Sequence, residues 1–180
     1  KYRKARITEV EMQEGASDRA VRNITLNGLG RRLDVIRGDI LDLPDSMCGK
    51  FDMAVTNPPY FEAGSGMIPG SGAKTASRHE TTASLSDFFA AAAALLRDRG
   101  DLFMVHRPSR LADMMTFSRI AGVEPKVIRF VQPYRDEDPN IVLAHFIKSG
   151  GRELRVMPPL IVRERDGRYT DEIDEIYGRK

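Results

Sequence analysis

Three observations predict an α/β fold built on a mostly parallel sheet that closes on an antiparallel pair of strands. Short apolar runs alternate with longer amphipathic segments through the first 120 residues, the pattern of strands that return through helices. Two β-rich runs, 126–131 and 141–148, then follow one another with only the polar stretch 132–140 between them, as in a hairpin. The length of 180 residues and a 41% hydrophobic content suit a single domain, residues 1–180, with a real core.

The elements follow in order. Residues 7–12 read as a short strand and 17–29 as a helix. Ala20, Val21, Ile24 and Leu29 lie near helical spacing, and Gly28 and Gly30 close the helix. A second strand spans 33–37 and ends at Gly38-Asp39; 44–50 is loop, and 51–56 is a third strand. The stretch 64–82, rich in Gly, Ser, Ala and Thr, reads as a loop. A helix over 84–97 has Ser84 or Ser86 as its N-cap and Gly100 as its stop. A strand at 102–106 precedes a helix over 108–121 that has proline in its first turn.

Composition narrows the function classes. The longest apolar run, 88–96, is too short to cross a membrane, and the basic start, 1–6, has no apolar stretch behind it as a signal peptide would. One cysteine, Cys48, excludes an internal disulfide framework and fits a reducing cytoplasm. His79, His106 and His145 are scattered without metal-ligand spacing, so no metal is expected. With 28 basic and 26 acidic residues the chain is no polycation, and a nucleic-acid partner would need a local basic surface.

The densest signal is Asn57-Pro58-Pro59-Tyr60, directly after the strand 51–56. Each proline fixes its own φ near −65° and restricts the residue before it, so Asn57 and Tyr60 stand in a nearly fixed relation. An amide offers an acceptor beside a donor, and a phenol ring offers a stacking face. Together they suit a planar group with an exocyclic amine, such as adenine. Acids also close the two earlier strands, Glu11 the first and Asp39 the second. Ligands of open α/β sheets bind at the carboxyl ends of the strands, where such acids accept bonds from ribose hydroxyls or an adenine amine. A single acid at a strand end is more often a helix cap or a solvated turn.

With Asp52 the motif becomes Asp-x-x-x-x-Asn-Pro-Pro-Tyr, which resembles the catalytic motif of the S-adenosylmethionine-dependent amino-methyltransferases. The ordered series Glu11, Asp39, Asn57 resembles the Rossmann-like class I methyltransferase layout, with cofactor-holding acids after the second and third strands and the motif after the fourth. The resemblance implies a glycine-rich cofactor loop after a first strand, and nothing here fills it. The glycines at 28 and 30 follow a helix, and those at 64, 66 and 70 have the wrong spacing. The reading is an N-terminally truncated methyltransferase domain that lacks the first strand, a βα unit of roughly 30 residues or more. Its sheet is expected to carry an unpaired seam beside the strands that end in Glu11 and Asn57.

Further runs narrow the likeness: Ala76-Ser77-Arg78-His79-Glu80, Val105-His106-Arg107-Pro108, Arg129-Phe130-Val131-Gln132-Pro133 with Asn140, and the tail from Met157-Pro158-Pro159 to Tyr169-Thr170 and Tyr177-Gly178. They resemble the bacterial tRNA adenine-N6-methyltransferases that modify the adenosine beside the anticodon of a valine tRNA. The resemblance implies S-adenosylmethionine as cofactor, tRNA as partner and direct methyl transfer. Glu11, Asp39 and Asn57 would hold the cofactor, and Asn57, Pro58, Pro59 and Tyr60 would form the catalytic motif. The Asn57 amide and the Pro58 carbonyl would accept bonds from the target amine, while Tyr60 and Phe61 stack on the base. Arg78 and His79 would touch RNA or close over the site, or else sit in a solvated loop. Lys126, Arg129 and Arg135 are RNA-facing candidates, with a salt-bridged edge as the plainer reading. Two alternatives stay open: a protein glutamine-N5-methyltransferase, whose amide nitrogen suits the same acceptors, and a non-catalytic module that binds RNA.

Overall fold

The computed structural model describes residues 5–60 and 83–179. Their contacts group into two compact units, 1–46 and 47–180. The expected residues Phe61, Arg78 and His79 lie outside the described residues.

The first unit is a β-α-β unit: β1 (Ile7–Glu11), α1 (Glu14–Leu26) and β2 (Leu33–Arg37). The two strands pair in parallel, Ile7 opposite Leu33 and Glu11 opposite Arg37. The helix starts three residues earlier than its periodicity suggests. Its N-cap, Gln13, makes no side-chain cap bond, and Gly15 in the first turn hides the start. The helix ends at Leu26, three residues before the expected Leu29, just ahead of the first of the two glycines. Gly28 adopts φ 63°, its N–H donates to Thr25, and the Leu29 N–H donates to Ile24. This pair of bonds satisfies the last carbonyls of the helix and needs the left-handed conformation that glycine enters freely.

The second unit is a mixed sheet with three α-helices among its described residues. Its elements are β3 (Phe51–Thr56), α2 (Leu85–Leu95), β4 (Leu96–His106), α3 (Leu111–Ile120), β5 (Val123–Gln132), β6 (Ile141–Lys148), β7 (Arg155–Val156), β8 (Leu160–Ile161) and α4 (Asp171–Ile176). The strand order is β3-β4-β6-β5-β7, with β8 also on β5. β3 and β4 are parallel; β5 and β6 form the expected antiparallel pair, and β6 lies between β4 and β5. Among the described residues β1 ladders only with β2, and β3 only with β4.

The core of this unit lies between the sheet and α2 with α3. Phe89 of α2 meets Phe146 of β6 edge-on at 5.2 Å, and Leu96, Leu102, Met104, Met114, Val123 and Val142 are fully buried around them. Ser84 caps α2: its hydroxyl accepts from the Asp87 N–H, and the Asp87 carboxylate accepts from the Ser84 N–H at 2.7 Å. The Ser84 hydroxyl also donates to the Asp87 carboxylate at 2.6 Å; this bond first and the backbone N–H second hold the Asp87 carboxyl below its ordinary value.

Helix α2 ends at Leu95, two residues before the expected Arg97, and β4 begins at Leu96 rather than the expected 102; between Leu96 and Asp101 its register against β3 shifts, and Arg99 takes φ 63°. Gly100 does not stop the helix. It is buried where β4 approaches β3, and a Cβ there would meet the Arg97 carbonyl at 2.9 Å and the Asp52 carbonyl at 3.2 Å. β5 begins at Val123, ahead of the expected 126, and accommodates Pro125 at a register shift against β6. Thr170 caps the short α4, a helix beyond those expected from the sequence.

Candidate functional site

In the first unit, both predicted acids close neighbouring parallel strands. Glu11 is the last residue of β1, and Asp39 follows β2 by two residues. The Gly38 N–H donates to the Glu11 carbonyl at 3.1 Å, which ties the two strand ends together. Each carboxylate also serves its own turn: Glu11 Oε1 accepts from the Gln13 N–H at 2.7 Å, and Asp39 Oδ1 from the Leu41 N–H at 3.0 Å. One oxygen of each is thereby fixed, which orients the second. A carboxylate has about four lone-pair sites, so further donors can be accepted. This pair of acceptors fits the hydroxyls and exocyclic amine of an adenosine-type cofactor. Both acids are only half-buried.

In the second unit, β3 carries Asn57–Tyr60 out of the sheet. Thr56 stands opposite Met104 of the parallel strand β4, so Asn57–Tyr60 and His106–Arg107 emerge at the same end. Pro58 is buried, Asn57 and Pro59 are exposed, and Tyr60 is half-buried. The Tyr60 ring meets His106 edge-on, with centroids 5.3 Å apart and planes at 65°. The Arg107 guanidinium lies over the Tyr60 ring, 5.0 Å from its centroid.

His106 itself is 2% exposed. Its Nδ1 accepts from the Arg107 N–H at 2.8 Å, so the neutral ring carries its proton on Nε2. Burial pushes its pKa down, and Arg110 and Arg107 add to the shift against a smaller opposing effect of Asp113. The imidazole is therefore a neutral, fixed wall. Sequence reasoning had the residue at a strand end but not its pairing with Tyr60, which depends on the β3–β4 register.

The remaining candidates fall elsewhere. Asp52 lies near the opposite end of β3 and pairs with Arg97 at 2.5 Å. Lys126 donates to the Gly151 and Arg152 carbonyls; Arg129 donates to the Pro158 carbonyl and pairs with Glu172 at 2.6 Å. Both cations bind the C-terminal tail to β5. Arg135 is exposed, and so is Cys48. Among the described residues, no helix is long and apolar enough to cross a membrane, and no group of three or more His, Cys, Asp or Glu could hold a metal.

A crystal structure of a predicted O-methyltransferase from Agrobacterium tumefaciens superposes with a TM-score of 0.76 at 20% identity, covering 97% of this chain and 78% of that one. Geranyl diphosphate C-methyltransferase from Streptomyces coelicolor, solved with S-adenosyl-L-homocysteine, gives 0.57 at 13% identity, with 80% and 63% covered. The fold is that of the Rossmann-like methyltransferases. The [4+2]-cyclase SpnF has it too, at a TM-score of 0.60, 13% identity and coverage of 82% and 67%, so the fold alone does not name a reaction.

No family model matches the sequence. Curated relatives do. The tRNA1(Val) (adenine(37)-N6)-methyltransferase of Pectobacterium carotovorum is 32% identical over 108 residues, 60% of this chain and 42% of that protein. Its namesake from Cronobacter sakazakii is 27% identical over 89% of this chain and 64% of its own length. The one from Tolumonas auensis is 28% identical over 96% and 72%. The chain thus resembles these enzymes at low identity along most of its length, and spans about two-fifths to seven-tenths of theirs.

Proposed function

We propose that this chain belongs to an S-adenosylmethionine-dependent methyltransferase that modifies N6 of an adenosine in tRNA, with the adenosine beside the anticodon of a valine tRNA as target. The observation that carries the reading is the Asn57–Tyr60 run at the carboxyl end of β3, with its ring fixed by His106 and Arg107. The names of the relatives that match most of the chain support the tRNA part.

S-adenosylmethionine supplies the electrophilic methyl group. Glu11 and Asp39 would accept bonds from its hydroxyl and amine groups. The Asn57 amide oxygen and the Pro58 carbonyl would accept the two N–H bonds of the target amine. Binding both hydrogens leaves the nitrogen lone pair as the one free direction of attack. The prolines keep these acceptors in place before the substrate arrives, so catalysis is positioning and electrostatics, without a covalent intermediate. Tyr60 would stack on the extruded base, a contact worth about 1–3 kcal/mol. That is comparable to the few kcal/mol of unstacking, which is smallest in a single-stranded loop.

The test gives the full-length protein methyl-labelled S-adenosylmethionine and separate pools of tRNA and protein. Label recovered as N6-methyladenosine in a valine tRNA is the expected result. Label on a protein glutamine would replace this reading with the glutamine-N5 one. RNA binding without any transfer would reduce the chain to a binding module.

A further inference from the structure

We propose that Arg107 is a positioning residue that, backed by His106, sets the attitude of the Tyr60 ring for an incoming base. The inference rests on the reading of Tyr60 as a stacking platform.

The backbone of Asn57–Pro59 is stiffened by its two prolines, but that stiffness ends at the Tyr60 Cα. The tyrosine side chain still has two rotatable bonds, and a ring that samples several rotamers stacks in only one of them. Two contacts remove this freedom. The first is the edge-on contact with His106. His106 cannot yield, because it is buried at the end of β4 and held by the Arg107 N–H. The second is the Arg107 guanidinium over the ring. A cation attracted to the ring quadrupole holds that ring in place and occupies the side on which it sits. The opposite face is the one assigned to the incoming base.

One peptide unit links the two contacts. The N–H of Arg107 fixes His106, while the side chain of Arg107 fixes Tyr60. Arg107 is exposed, so replacing its side chain leaves β4 and the backbone bond to His106 intact.

The test uses the full-length protein with fluorine-labelled tyrosine. The Tyr60 resonance is assigned by its loss in Tyr60→Phe. Without RNA, Arg107→Met should shift or broaden that resonance, and Arg107→Lys should restore it. Methyl transfer, as kcat/KM, should fall about fivefold in Arg107→Met, the factor carried by a cation–π contact of roughly 1 kcal/mol. It should return to within about twofold of wild type in Arg107→Lys, with the salt dependence of KM unchanged. A Tyr60 resonance indifferent to Arg107→Met in an active enzyme overturns the inference. So does a fall of about one in the salt slope, which would make Arg107 a phosphate ligand. A responsive resonance in a wild-type protein that transfers nothing to RNA overturns the proposed function instead, and leaves the clamp on the ring standing.

Discussion

Replacing Tyr60 separates the ring from its hydroxyl, and the structure sets the size of each effect. The ring has an edge-on aromatic contact with His106 and a guanidinium above it. The first is worth about 0.5–1.5 kcal/mol and the second about 0.5–1 kcal/mol at a partly exposed site. Tyr60→Ala should therefore cost about 1–2.5 kcal/mol of stability, read as a lower melting temperature or denaturant midpoint. On the proposed function it also removes the stacking face, a further ~1–3 kcal/mol or about 5- to 150-fold in single-turnover methyl transfer to RNA. Tyr60→Phe keeps both ring contacts. No hydrogen bond to the Tyr60 hydroxyl is found among the described residues, so this variant should stay within about 0.5 kcal/mol in stability. Its transfer rate should remain close to wild type. The two assays together are decisive. Equal losses of transfer in Tyr60→Phe and Tyr60→Ala would assign the role to the hydroxyl and refute the stacking argument. Wild-type stability in Tyr60→Ala would refute the clamp.

Other outcomes follow from the same geometry. Asn57 is exposed and its side chain has no hydrogen bond among the described residues, so Asn57→Ala should melt within about 0.5 kcal/mol of wild type while transfer falls about 100-fold or more. A cofactor titration checks the role: affinity lost in proportion to rate would move Asn57 from the target amine to the cofactor. The neutral form of His106 is favoured by the fold, so its contribution is intact above the ordinary histidine value of 6.5 and is lost as pH falls from there through the lowered folded pKa. His106→Gln should flatten the pH–stability curve in that window, and an unchanged curve would contradict the burial argument. Asp87 acts in a separate window below its ordinary 3.8, as its lowered pKa requires. Phe89→Ala should cost about 3–5 kcal/mol, because the side chain is fully buried against Phe146; a loss under about 1 kcal/mol would place the core elsewhere.

The sequence revealed most where it carries punctuation. β2 and β3 match their expected bounds, 33–37 and 51–56, because Gly38 and Asn57-Pro58 stop them visibly. β6 matches at 141–148 for a similar reason. The α2–β4 junction was illegible because Arg99, not a glycine, takes the left-handed conformation there, at φ 63°, and Gly100 serves close packing rather than helix termination. α4 escaped notice at six residues, although Thr170 with acids in the first turn is a cap signal. Of the candidate site, Asn57–Tyr60 and the strand-end acids were readable from position alone. The meeting of His106 and Arg107 with Tyr60 was not, because one residue of slip between β3 and β4 would move these side chains to opposite faces.

Gly100 bears on how variants of this protein should be interpreted. A methyl group at that position would press on the Asp52 carbonyl and prise the start of β3 from its neighbour. Asn57 lies five residues further along the chain, just past the end of β3, a span of about 16 Å. A screen for loss of activity would therefore recover Gly100 substitutions together with those in the motif, although residue 100 touches no reacting atom. Heat sensitivity would distinguish the two classes: a Gly100 lesion should be milder in the cold, where the strand can hold, and an Asn57 lesion equally severe at every temperature.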